Sequence, residues 1–288
     1  MTLSPRQDDF LGTAALDRRE AFCREIARDA GALAQAAFLE QAGKKIGMKG
    51  PQDFLTATDG AVEQLIRSRI AEAFPEDGFL GEESGGDLAA NNWVVDPIDG
   101  TANFARQIPH YCISIAFVAN GEVQLGAINN PSQNELYFAR RGKGATRNGR
   151  KIRVADTSDY GAACIELGWS TRVPTEVYLG ALTDMLAQGA NVRRAASGAL
   201  GLAYVADGRS DGYAELHMYP WDCLAGLLLV EEAGGVIAPF LAADGLSKGG
   251  SVLAATPAMA AGMSRATGIT LSGGPDRLPG FVAVQAAG

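Results

Sequence analysis

Histidine is nearly missing from this 288-residue chain; His110 and His217 are the only two. A zinc site built on several imidazoles is therefore excluded. Cysteine is scarce as well. Cys23, Cys112, Cys164 and Cys223 are scattered with no Cys-x-x-Cys pair, and they read as free thiols of a reducing compartment. No apolar run approaches the roughly 20 residues that span a bilayer; the longest beside a helical pattern is "CLAGLLLV", 223–230. The N-terminus, "MTLSPRQDDFLGTAALDRRE", has no basic segment followed by an apolar core, so no signal peptide is expected and the cytoplasm is the expected location. A G-x-x-x-x-G-K-[ST] loop and a G-x-G-x-x-G turn are both absent, which removes the anchors of nucleotide kinase and Rossmann readings. Positive charge is in deficit. A net charge of −8 makes the chain a poor partner for nucleic acid or an anionic membrane surface, and neither is expected to bind. A phosphate could still bind locally if cations reverse the sign of one site.

The length suggests two domains or one large one, either able to bury a sizeable core. Residues 17–40 carry Phe22, Ile26, Ala30, Leu33 and Ala37 at helical spacing. Residues 59–74 do the same with Val62, Leu65, Ile66, Ile70 and Phe74; Pro75 stops that helix and Thr58 is its expected N-cap. Then the period changes. "WVVD" reads as a buried strand, and Asn120-Gly121 and Asn148-Gly149 sit between β-rich runs as hairpin turns. The first half therefore reads as two helices followed by a mostly antiparallel sheet. The second half alternates: strands at "ACIELGW", "DGYAEL", "GVIAPF" and "SVLAAT", with helices at 175–188, "GALGLAYVADG" and "WDCLAGLLLVEEAGG". That alternation predicts an α/β layer. The expected division is an α+β part over 1–152, carrying most of the site acids, and an α/β part over 153–288 that completes the site.

The chemistry concentrates in "NNWVVDPIDGTANF", 91–104. Asp96 and Asp99 end a buried strand three residues apart. Asp-Pro and Asp-Gly are common turn dipeptides, and a turn is the plain reading. Other acids change it. "GFLGEESGG" places Glu82 and Glu83 after a similar apolar approach, and Asp222 opens an apolar helix beside Trp221. No counter-charge lies near them in sequence. Clustered carboxylates without basic partners repel and resist ionisation. Hard divalent cations resolve this; Mg²⁺ takes a few carboxylates, water and substrate phosphate. Asp96 can then bridge two cations, the Ile98 carbonyl can turn inward behind Pro97, Asp99 reaches the second cation, Gly100 permits close approach, and the Thr101 hydroxyl can orient water.

"GEES", "WVVDPIDGTANF" and "WDCLAGLLLVEEAGG", in this order, resemble the motifs of the inositol monophosphatase family of Mg²⁺-dependent, Li⁺-sensitive sugar phosphatases, as does "KGPQDFLTATD" at 49–59. The resemblance covers about residues 20–265. It implies a layered αβαβα sandwich, with an antiparallel N-terminal sheet and a mixed C-terminal sheet, usually homodimeric. It implies two to three Mg²⁺ per site: Glu82, Asp96 and the Ile98 carbonyl on the first, Asp96, Asp99 and Asp222 on the second, and a weaker third near Glu82. Thr101 and Asp59 would position and deprotonate the attacking water. Gly100 and Thr101 would offer N–H groups to the phosphate. Asp99, Asp222, Glu215, Ala196, Ser197 and Gly198 would border a small phosphorylated polyol. Two departures stand out. The family more often shows Gly-Ser/Thr-Ala where this chain has Ala196-Ser197-Gly198, and Trp169 falls where many members carry a small residue. The implied reaction is hydrolysis of inositol 1-phosphate or a similar polyol phosphate. Histidinol phosphate, fructose 1,6-bisphosphate and phosphoadenosine phosphate are handled by relatives with the same acids, although no basic cluster beside the motifs offers to hold a second phosphate. A regulatory binding protein on this fold is the alternative from another class.

Overall fold

The computed structural model describes residues 11–40, 47–50, 53–55 and 57–271. Expectations for residues 1–10, and for part of the 49–59 motif, lie outside the described residues. The chain begins with α1 (Thr13–Glu40), a short antiparallel pair β1 (Gly47–Gly50) and β2 (Asp53–Leu55), and α2 (Ala57–Ala73). A seven-stranded sheet follows in chain order: β3 (Gly78–Gly81), β4 (Asn91–Asp99), β5 (Cys112–Ala119), β6 (Glu122–Asn130), β7 (Glu135–Arg140), β8 (Gly144–Arg147) and β9 (Arg150–Lys151), with the short α3 (Thr101–Ala105) between β4 and β5. Every pairing in it is antiparallel except β3 with β4, which run parallel. Asn120-Gly121 and Asn148-Gly149 both hold positive φ at their two residues, the twist-matched turn that sequence predicts there.

The second sheet holds β10 (Cys164–Leu167), β11 (Asn191–Arg193), β12 (Gly212–Met218), β13 (Val236–Ile237) and β14 (Gly250–Ala255), in the order β11-β10-β12-β14-β13. β10 runs parallel to both neighbours and β14 antiparallel to both of its own, so the sheet is mixed. α4 (Thr175–Ala187) and α8 (Pro257–Thr267) pack on its outer side, α5 (Gly198–Ala206) and α6 (Pro220–Glu232) lie between the sheets, and the one-turn α7 (Gly245–Lys248) precedes β14. With α1 and α2 on the far face of the large sheet, the layers run αβαβα. The expected "GVIAPF" strand shrinks to two residues, because the chain turns into a 3₁₀ segment at Phe240.

Alternation along β4 sorts its side chains. Trp93 and Val95 face the α1–α2 cluster, while Val94 faces the middle helices, and Asp96 follows Val94 on that face. α1 differs from its expected stripe. Its buried face is Cys23, Ile26, Ala27, Ala30, Gly31, Ala34 and Phe38, and Leu33 is exposed. Small residues win because α1 lies almost on the sheet: Asn129 Nδ2 donates to the Ala27 carbonyl at 2.6 Å, and a Cβ on Gly31 would sit 2.1 Å from that amide. Thr58 lies inside α2, one residue past its start, and so is not the N-cap expected of it.

The middle layer is pressed still closer. A Cβ on Gly126 of β6 would sit 2.7 Å from the Ala225 carbonyl oxygen of α6, and one on Gly226 would sit 2.5 Å from Leu202 Cβ of α5. Backbone cannot yield as a flexible side chain does. Gly126→Ala is thus expected to cost about 1–3 kcal/mol by overpacking, read as a lower urea midpoint at unchanged m-value. An unchanged midpoint would show that α6 has slack against the sheet.

Candidate functional site

β4 ends in an irregularity: its register with β5 shifts between Asp96 and Asp99. Pro97 cannot donate a ladder bond, and the Ile98 N–H turns back to Asp96 Oδ1 at 2.9 Å. The strand thus ends with two carboxylates displayed on a stiff turn. Asp96 and Asp99 are both buried.

The third acid arrives from α6. Ser114 stands opposite Asp96 on β5, and its hydroxyl donates to the Trp221 carbonyl at 2.9 Å, which locks the start of α6 beside β4. Asp222 follows in the first turn, half-buried, and accepts from the Tyr219 N–H at 3.0 Å. Asp96, Asp99 and Asp222 each bring a carboxylate oxygen within 4.8 Å of the others, spacing that fits a metal ion. Glu82, just past β3, stands close enough to hydrogen-bond Asp96. Burial, with repulsion from the neighbouring acids, holds Asp96 and Asp222 well above the usual carboxylate range. Asp99 is also raised by burial, but less, because α5 serves it: Ser197 Oγ donates to it at 2.6 Å, the Ala199 N–H at 2.8 Å and the Gly198 N–H at 3.2 Å. No lysine or arginine of the described residues pairs with Asp96, Asp99 or Asp222. Oxygen-only donors, buried and lacking a cation of the chain's own, suit a hard divalent ion.

Thr101 begins α3 without capping it; Gly100 holds the N-cap position with φ 93°. The Thr101 hydroxyl lies 2.9 Å from the Ile98 carbonyl and 3.3 Å from Asp59 Oδ1, and Asp59 is fully buried in the first turn of α2. Glu63 escaped the sequence reading. One turn after Asp59, it is buried, and its carboxylate accepts from the N–H groups of Glu83 and Ser84 at 2.9 Å each. It ties the Glu82 loop to the helix that carries Asp59. The signal was there: an acid at i+4 from Asp59, beside the buried stripe Val62, Ile66, Ile70.

A cavity of about 460 Å³ opens above these acids. Glu82, Asp99, Gly100, Thr101, Asp222, Ala196, Ser197, Gly198 and Glu215 line it, and Ser197 and Gly198 stand directly against Asp99. All the expected site residues except Asp59, Asp96 and Ile98 reach its wall; those three lie buried beneath it. Burial pushes Glu215 up to about 7, offset in part by a 2.6 Å bond from the Tyr213 hydroxyl. Trp169 is half-buried wall, with the Arg194 guanidinium 5.6 Å over its ring. Arg194 lines the cavity and, with Arg172, lowers the Glu215 pKa. The fold therefore brings together basic groups that sequence proximity to the acid motifs did not reveal. Ala196 holds φ +60°, the left-handed region.

Comparison with known proteins agrees with this geometry. The profile described as "Inositol monophosphatase family" matches residues 15–267. The "Nus factor SuhB" of Xylella fastidiosa is 44% identical over 201 residues, 68% of this chain and 72% of that protein. The "Inositol-1-monophosphatase" of Rhizobium meliloti is 40% identical over 217 residues, 74% and 79% of the two chains. Among solved structures, the inositol monophosphatase of Anabaena superposes with a TM-score of 0.76 at 33% identity, covering 89% of this chain and 98% of that one.

Two outcomes test the electrostatics and the backbone. Raised carboxyl pKa values mean that the folded protein binds more protons than the unfolded one, so their contribution to stability is present below about pH 4 and is lost as pH rises through the folded values. In chelator-treated protein, Asp96→Asn should therefore raise the melting temperature, and by more at pH 8 than at pH 5. A gain equal at both pH values would mean that the acids do not repel. Ala196→Gly should stabilise by about 0.5–1 kcal/mol, because glycine adopts positive φ without strain; a loss in a urea titration would show that the turn needs the methyl.

Proposed function

Because the chain belongs to the inositol monophosphatase family, we propose that it is a Mg²⁺-dependent phosphomonoesterase acting on inositol 1-phosphate or a similar small polyol phosphate. The observation that carries this reading is the convergence of Asp96, Asp99 and Asp222 within 4.8 Å, at the foot of the cavity and beside the Thr101–Asp59 contact. Two to three cations would be held, with Glu82, Asp96 and the Ile98 carbonyl for one and Asp96, Asp99 and Asp222 for another. When bound, such cations supply an activated water and neutralise charge on the leaving alkoxide.

The chain's own groups do the rest. Thr101, its hydroxyl between the Ile98 carbonyl and Asp59, can accept one hydrogen bond from a water while donating another, which fixes the direction of attack. Asp59, buried and reached through that hydroxyl, is the proton acceptor. Gly100 and Thr101 would present backbone N–H groups to the phosphate. Glu215, in the cavity wall with Ala196, Ser197 and Gly198, would accept from substrate hydroxyls. We extend the reading to a homodimer on family grounds. Histidinol phosphate and other small esters are the alternatives that the same acids would serve.

A second reading has its own support, since several relatives are named Nus factor rather than phosphatase. On that reading the chain is a regulatory binding protein on the same fold. Mg²⁺-dependent release of phosphate from any small ester separates the two: none at saturating metal would leave only the binding role.

The decisive test is on Thr101. Thr101→Ala should lower kcat by about 10²–10⁴-fold, the usual contribution of a positioned proton acceptor, with little change in Mg²⁺ affinity. Thr101→Ser should keep much of the rate. Asp59→Asn should lose a similar factor, and the double variant should be far from additive because the two act as one unit. Additive losses, or an active Thr101→Ala enzyme, would remove the pair from the mechanism.

A further inference from the structure

Tyr213 and Glu215 lie two residues apart on β12, so both side chains leave the same face of the strand, the face that lines the cavity. The Tyr213 hydroxyl donates to Glu215 Oε2 at 2.6 Å, and the Tyr213 side chain is buried. Three glycines from separate positions wall the pair in. A Cβ on Gly168 would sit 2.0 Å from Glu215 Oε2 and 2.6 Å from Tyr213 Oη. One on Gly201 would sit 2.5 Å from Tyr213 Cδ2, and one on Gly198 would sit 2.9 Å from Tyr213 Oη and 2.5 Å from Met218 Cε. Met218 could swing its methyl aside. The phenol could not, because Gly168 and Gly201 close the other sides and the carboxyl holds its tip.

This niche gives a physical account of the order Ala196-Ser197-Gly198. Glycine would suit position 196, where φ is +60°. The chain instead places alanine there, at a backbone cost, and glycine at 198, where the phenol needs room. The Ala196 methyl is left exposed in the cavity wall.

We propose that Tyr213 is the positioning residue for Glu215: held among Gly168, Gly198 and Gly201, it fixes the Glu215 carboxyl in one orientation toward the hydroxyls of a polyol phosphate. The proposal rests on the reading that Glu215 receives substrate hydroxyls. Burial also keeps the Tyr213 phenol protonated, its pKa raised well above that of free tyrosine, so the donor is present at any working pH.

The test compares inositol 1-phosphate with an aryl phosphate, which has no hydroxyl to offer. In Tyr213→Phe, KM for inositol 1-phosphate should rise about tenfold, the loss expected when a hydrogen bond to a charged group is removed, while kcat falls far less and the aryl ester shows a much smaller rise in KM. Gly201→Ala should give the same pattern by displacing the ring. Equal losses for both esters, or an unchanged KM ratio, would overturn the proposal and leave Tyr213 a core residue. Should the wild type hydrolyse no ester, the comparison is read by calorimetry of inositol 1-phosphate in Ca²⁺. Tenfold weaker binding in Tyr213→Phe would then uphold the positioning role while the phosphatase reading falls. Equal binding, or no binding by the wild type, would overturn it.

Discussion

Like charges held out of water are the constraint around which this molecule is arranged. Asp96, Asp99 and Asp222 meet at the end of one strand, and their own mutual field disfavours ionisation. Burial limits their screening by water, and no basic side chain of the described residues pairs with them. What the chain offers instead is helix termini. α5 begins at Asp99 and gives it two N–H groups and a serine hydroxyl, while α6 begins two residues before Asp222. The partial positive charge of each N-terminus offsets part of the repulsion. Both middle helices therefore run away from the same point, and the direction of the layer follows from the acids.

Such an arrangement holds only if the helices cannot drift. Glycines supply the close approach, Gly126 beneath α6 and Gly226 against α5. Ser114 supplies the register, since it stands opposite Asp96 on β5 and grips the residue before Asp222. Glu63 does the same for the other side by tying the loop after Glu82 to α2. Asp99, the start of the Asp222 helix and the Glu82 loop are thus each held by a group on another element.

Much of this could be read along the chain where the information is local. Asn120-Gly121 and Asn148-Gly149 specify their turns by backbone preference alone, and Asp96 through Thr101 lie in one segment whose spacing carries its chemistry. α6 was legible as an apolar run opened by an acid and closed by glycine. The misses are of another kind. The buried face of α1 follows small residues, because closeness to the sheet mattered more than hydrophobicity, and so Leu33 is left in solvent. β3 pairs parallel with β4, which no local pattern announces. Glu63 gains its meaning from N–H groups 20 and 21 positions away, and Tyr213 and Arg194 from the shape of a cavity, which a single sequence does not display.

The site is therefore held by two kinds of constraint. Among the acids, a change in one carboxylate alters the field on the others, so they are bound to one another by electrostatics. Around β12 and the start of α5, Trp169, Ala196, Gly198 and Tyr213 are bound by volume. A methyl at 196 and none at 198 changes the cavity wall and leaves room beside Gly198 to seat something else. Here it seats the phenol. The strained φ of Ala196 is then a local cost set against a packed Tyr213–Glu215 pair. On the proposed reading, cations held by the acids would meet the phosphate, and the glycine and aromatic positions around β12 and the start of α5 would meet what it is attached to.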